Sequence, residues 1–152
     1  MSQDIYARIK ADHDHARELM EKIADTSNSA EKTRRRLFDE FKIDIWTHHK
    51  VEEATFYAQL RKEGEDGEAF EAYNEHHMAN NLVEELATVA MMNEQWLQKF
   101  KTLKELLEHH MEEEEEEFFE VARKEIDKTR AEELGKWFDE RKRAAAEAIT
   151  PI

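Results

Sequence analysis

Apolar residues return along this chain every three or four positions, the pattern of helices that bury one face. Over residues 4–25 the stripe is Ile9, Ala16, Met20 and Ile23, and over 30–62 it is Phe41, Ile45, Phe56 and Leu60. Over 68–92 it runs through Ala69, Ala72 or Tyr73, Ala79, Val83, Leu86 and Ala90, and over 93–128 through Leu103, Leu107, Phe118 and Val121. The four stripes share one irregularity. Where the spacing asks for a further apolar residue, the first helix has His13, the second His48 and Glu52, the third His76, and the fourth His110 and Glu114. Such groups are costly to bury unless they are paired, hydrogen-bonded or bound to a metal.

Turn chemistry separates the stripes. Thr26-Ser27-Asn28-Ser29 is a turn, and Asn28 with Glu31 three residues later predicts a capping box for the second helix. Residues 63–67 are the clearest loop, and Asn93 is the expected N-cap of the fourth helix. Thr129 to Glu132 reads as another capping box. It opens a short fifth helix whose Leu134, Trp137 and Phe138 face is expected to pack across an end of the bundle, with a tail over 144–152. Short turns make successive helices antiparallel. The expected fold is all-α: an up-down-up-down four-helix bundle over 1–128, with a short extra C-terminal helix and tail over 129–152 packed on it.

Composition narrows the function classes. Three Gly and one Pro in 152 residues favour long helices, and three Trp, eight Phe and the periodic aliphatic residues supply a core despite 39% charged residues. A net charge of −14 argues against nucleic acid or an anionic membrane as partner. No apolar run approaches the roughly 18 residues of a membrane span, and the first residues lack the basic and apolar regions of a signal peptide. A cytoplasmic protein is expected. With no cysteine, disulfides, thiolate ligands and a cysteine nucleophile are excluded.

The six polar core positions are expected to meet. In antiparallel neighbours, residues equidistant from a turn lie level. His76 and His110 are equidistant from Asn93, His13 and His48 from residues 30–31, and His48 and His76 from residue 62, each at or near a predicted turn. Four level histidines with two glutamates exceed the four ligands of a tetrahedral zinc, and calcium or magnesium would prefer oxygen alone. Nitrogen and oxygen together suit iron, manganese or zinc. Two similar halves suit two metals, with Glu52 and Glu114 bridging. The halves are visible as a repeat: His48 and His110 are each followed by Glu at +4 and +5 and by aromatic residues at +8 and +9. The Glu-x-x-His motif of ferritin-like di-iron bundles is absent.

At these residues the chain resembles the hemerythrin-like HHE cation-binding family. The resemblance is carried by Asp12-His13, by His48-x-x-x-Glu52-Glu53 with Phe56-Tyr57, by Glu75-His76, and by His110-x-x-x-Glu114-Glu115 with Phe118-Phe119. It implies a four-helix bundle holding two iron ions as an oxo- or hydroxo-bridged centre, with His13, His48, Glu52, His76, His110 and Glu114 as ligands. It also implies reactions with dioxygen, peroxide or nitric oxide, or iron handling. The family's oxygen carriers have a second histidine one turn after the first on the third helix, where this chain has Asn80, and an aspartate on the last bundle helix, where it has Glu114. Fewer histidines leave a more open, carboxylate-rich site, which favours ligand exchange over stable oxygen carriage.

Three readings follow. In the first, the centre binds or reacts with a small diatomic molecule or peroxide, as a sensor with a protein partner or as a weak peroxidase. In the second, the chain stores or buffers iron or another divalent metal without redox turnover. In the third, it is an interaction module with a polar core. His49, His77 and His109 point about 100° from the core histidines and are expected on helix surfaces or between helices. His15 is expected to face elsewhere, with some chance of lying near the site. Glu53 and Glu115 are either acceptors for histidine N–H groups or, equally, simple surface charges. Tyr57 and Tyr73 lie near the layer, as packing or as hydrogen-bond donors to a bound ligand.

Overall fold

A computed structural model describes residues 3–149. The helices are α1 (Ile5–Ala24), α2 (Glu31–Glu52), α3 (Ala58–Lys62), α4 (Asp66–Thr88), α5 (Glu94–Glu113), α6 (Phe119–Glu125) and α7 (Lys128–Ile149). Between α2 and α3 lies a π-helical turn, Glu53–Tyr57, and between α5 and α6 another, Glu114–Phe118. Each π turn continues its helix, so α2–α3 and α5–α6 are two long rods that form the expected bundle with α1 and α4. No helix among the described residues is long and apolar enough to cross a membrane.

The core is split in two. One apolar cluster holds Met20, Ile23, Phe38, Phe41, Val83, Leu86, Trp96 and Phe100; the other holds Ile5, Ile9, Phe56, Tyr57, Leu60, Phe118, Phe119 and Phe138. Each such side chain contributes about 1.5–3 kcal/mol by leaving water. Along every bundle helix, the expected polar residues fall where one cluster gives way to the other.

Both π turns begin at or just after the glutamate of the His-x-x-x-Glu repeat. A π turn holds an extra residue, so two successive aromatic residues face inward, Phe56 with Tyr57 and Phe118 with Phe119, all four buried. The Thr55 hydroxyl in the first of these turns donates back to the Val51 carbonyl of α2, at 2.8 Å. The slip also moves the stripe by one position. Ala122 is buried where Val121 was expected, and Val121 is only half-buried.

Other departures have local causes. The Asn28–Glu31 capping box does not form, because Ala30 is the N-cap and makes no side-chain bond. Asn28 Oδ1 instead accepts from the buried Arg34, whose guanidinium also donates to Thr26 and to the Met91 carbonyl. Arg34 thereby ties the α1–α2 turn to the segment between α4 and α5. α4 ends at Thr88, short of the expected 92, and leaves Ala90 exposed. Asn93 caps α5 as expected, accepting from Gln95 N at 2.8 Å.

The C-terminal helix departs most. It is 22 residues long rather than short, and it runs through residues 144–149, where a tail was expected; 150–152 lie outside the described residues. Asp127 accepts from Arg130 N at its start, in place of the Thr129–Glu132 box. α7 lies alongside α1 and α2 rather than across an end. Leu134 and Phe138 are buried against the second cluster, whereas Trp137 is exposed, with the Arg130 guanidinium over its ring. Contacts from α7 climb α1 in step: Gly135 meets Gln3 and Asp4, Asp139 pairs with Arg8, and Lys142 pairs with Asp12. The two helices are therefore parallel. A Cβ on Gly135 would sit 2.5 Å from the Gln3 carbonyl oxygen, so only glycine allows this approach.

Candidate metal centre

The polar layer between the two clusters contains all six expected residues, and all are buried: His13, His48, Glu52, His76, His110 and Glu114. Their Nε2 and carboxylate atoms converge. In one group, His13, His48, Glu52 and Glu114 each offer an atom within 4.8 Å of the others; in the second, His76, His110, Glu52 and Glu114 do the same. The two glutamates belong to both groups. Glu52 lies between His48 Nε2 at 3.3 Å and His76 Nε2 at 3.1 Å. Glu114 lies between His13 Nε2 at 3.0 Å and His110 Nε2 at 3.6 Å. His76 and His110 bring their Nε2 atoms within 3.2 Å of one another.

Every ring is held from behind. His13 Nδ1 meets Glu115 at 2.6 Å, His48 Nδ1 meets Asp12 at 2.8 Å, His76 Nδ1 meets Glu53 at 2.7 Å and His110 Nδ1 meets Glu75 at 2.8 Å. A carboxylate on Nδ1 fixes the proton there and turns the Nε2 lone pair inward, as metal-binding histidines require. Glu53 and Glu115 are acceptors rather than surface charges, the first of the two roles open to them. Asp12 and Glu75 serve a histidine on the neighbouring helix, a pairing that no local spacing reveals.

The donor set fits a metal. His13 Nε2, His48 Nε2, both oxygens of Glu52 and Glu114 Oε1 are buried and make no well-aligned hydrogen bond, although each faces an imidazole or carboxylate of the layer at 3.0–3.3 Å. Orphaned buried groups of this kind cost roughly 1–3 kcal/mol each, and more when charged. Protons shared with the carboxylates meet part of that cost in the metal-free protein. Burial pushes the His48 imidazole down, but Glu52 and Asp12 outweigh it and raise it to about 10. Burial likewise opposes, and Glu52 and Glu53 overcome, in His76, which is raised to about 9. Burial and the neighbouring Glu52 push Glu114 up.

Tyr57 is part of this layer. It is fully buried, and its hydroxyl donates to Glu114 Oε2. Burial and the Glu114 charge hold that phenol well above its ordinary range, so it stays a donor. Tyr73 is half-buried and packs on Tyr57. His49 lies between helices, stacked on His76 with ring centroids 3.8 Å apart and Nδ1 3.4 Å from Asn80 Oδ1. His77 and His109 are exposed, and His15 pairs with Asp44 on the surface. Of the Glu112–Glu117 run, only Glu114 is buried.

The comparisons agree with this geometry. The family model described as the hemerythrin HHE cation binding domain matches residues 4–122. A crystal structure of a hemerythrin HHE cation binding domain-containing protein from Mycobacterium kansasii superposes with a TM-score of 0.85 and 23% identity, covering 96% of this chain and 89% of that one. At that identity the likeness shows the fold. No curated protein matches the chain. A helical bundle with buried His/Glu clusters that fit a cation, matched over 4–122 by one family model, identifies the chain as a member of the hemerythrin HHE cation-binding domain family.

Proposed function

We propose that the chain binds two iron ions and uses them to bind or react with peroxide, dioxygen or nitric oxide, in sensing or peroxide handling. The observation that carries this reading is the pair of buried four-residue groups sharing Glu52 and Glu114. His13 and His48 would hold one ion and His76 and His110 the other, with each glutamate giving an oxygen to both. Nitrogen with hard carboxylate oxygen suits iron, with manganese or zinc as competitors.

Iron supplies the electron transfer. The chain's residues do the rest. Asp12, Glu53, Glu75 and Glu115 orient the rings and keep Nε2 basic. The aromatic side chains of the second cluster exclude water from that side of the layer. Tyr57 holds a proton at its hydroxyl against Glu114 Oε2, where it can steady the carboxylate or turn to an incoming ligand. Two imidazoles and the shared carboxylates would hold each ion, a ligand set that would leave room for exchange.

The test is to purify the protein without chelator, measure metal per chain by elemental analysis, and record the visible spectrum before and after peroxide or nitric oxide. Two irons per chain with a ferric band that responds are expected. Two irons with a stable, unresponsive spectrum would assign the chain to iron storage or buffering instead. One zinc, or no uptake after reconstitution with iron, would overturn the di-iron reading.

A further inference from the structure

A cleft of about 230 Å³ between α1, α2, α5 and α7 reaches the layer from outside, and its lining includes Asp12, Thr47, His48, Met111 and Lys142. Lys142 Nζ donates to Asp12 Oδ1, while Asp12 Oδ2 accepts from His48 Nδ1 at 2.8 Å. Lys142, Asp12 and His48 thus form a continuous relay from the last helix to a ring whose Nε2 faces Glu52. The Asp12 side chain is only 15% exposed, so the position of its charge is set by these two partners rather than by water. Among the described residues, the one other cation behind a histidine's carboxylate is Arg17, which donates at 2.9 Å to Glu115 Oε2, the same oxygen that meets His13. Among the described residues, no lysine or arginine pairs with Glu53 or Glu75 behind the other two histidines.

We propose that Lys142 is a positioning residue for the metal centre: it fixes Asp12, and through Asp12 the ring of His48, so that α7 is part of the site. This rests on the proposed metal binding. Lys142 lies beyond residue 122, where the family match ends, so the family pattern does not supply it. A carboxylate with one fixed partner can rotate away from an imidazole; a carboxylate gripped at both oxygens cannot. Loss of the grip lets the ring tilt, and outer partners of metal-binding histidines are commonly worth about 10–100-fold in affinity.

A second ion pair provides the control. Arg8 and Asp139 join the same two helices at 2.7 Å without touching the layer. Iron-loaded wild type, K142M, K142R, D12N and R8M would be compared by iron release to a chelator, by ferric absorption and by thermal melting. K142M and D12N should release iron about 10-fold faster with a shifted ferric band, K142R should restore both, and R8M should match wild type in both. Equal effects from K142M and R8M would mean that α7 acts only by docking, and would overturn the inference, as would an unchanged K142M. If K142M does not fold, K142Q, which keeps a polar side chain without the charge, is compared with R8M and decides between the same two outcomes. Wild type that holds no metal would overturn the proposed function, and this inference with it.

Discussion

The two halves of the metal layer have nearly the same residues and different surroundings. His13 with His48 and His76 with His110 both face Glu52 and Glu114, and all four rings rest on carboxylates. The repeat places Tyr57 opposite Phe119 and His49 opposite Met111. The His76–His110 half therefore has a phenol on Glu114 and an imidazole stacked on His76. The His13–His48 half has Phe138 against His48, the cleft, and cations clamping both supporting carboxylates. A duplicated set of donors does not make two equal sites. The repeat determines which donors each half offers, and the side chains around it determine the surroundings of those donors.

Four predictions test that comparison, from the largest expected effect. Replacing a shared carboxylate, Glu52→Ala or Glu114→Ala, should remove a donor from both halves and drop metal content below one ion per chain by elemental analysis. Replacing one ring, His48→Ala or His110→Ala, should cost one ion and leave the other, with an affinity loss above about 100-fold at the damaged half. Equal loss of both ions from each single variant would show that the halves act as one unit.

The metal-free protein should lose stability in alkali. His48 at about 10 and His76 at about 9, one from each half, lie above the ordinary imidazole value of 6.5. Their protonated forms are favoured by the fold, so the contribution is complete below about pH 6.5 and is lost as pH rises through 9 and 10. The melting temperature of chelator-stripped protein should fall between pH 7 and 10.5. Loaded protein should fall less, because the cation takes the place of those protons. The smallest effect belongs to the phenol. Tyr57→Phe should cost about 1–2 kcal/mol in the metal-free protein by denaturant titration. It should also alter the ferric spectrum, whereas Phe119→Tyr should not restore it, because Phe119 packs on Tyr6 and Phe56 rather than on a carboxylate.

Much of this is legible in the sequence. The four bundle helices, the six polar core positions and the level of the four histidines follow from periodicity and turn spacing. Glu53 and Glu115, beside Glu52 and Glu114, could be read equally as acceptors or as surface charges, and the structure decides for acceptors. The Asn28 capping box failed because the buried Arg34 took the Asn28 side chain. The stripe slipped at Val121 because a π turn consumed one residue. The length and course of α7 were missed because its stripe is short: after Phe138 it presents exposed residues and is held by ion pairs at Arg8 and Asp12 rather than by core burial.

The sequence by itself determined what is local or periodic: helices, their buried faces, and the polar residues interrupting those faces, because backbone spacing alone puts residues four apart on one side. Only the tertiary structure decided what depends on neighbours far along the chain. It paired Asp12 with His48 and Glu75 with His110, turned the Tyr57 hydroxyl onto Glu114, and laid α7 beside α1 so that Lys142 meets Asp12. Those contacts arise from the way helices pack, and the order of residues within any one helix does not contain them.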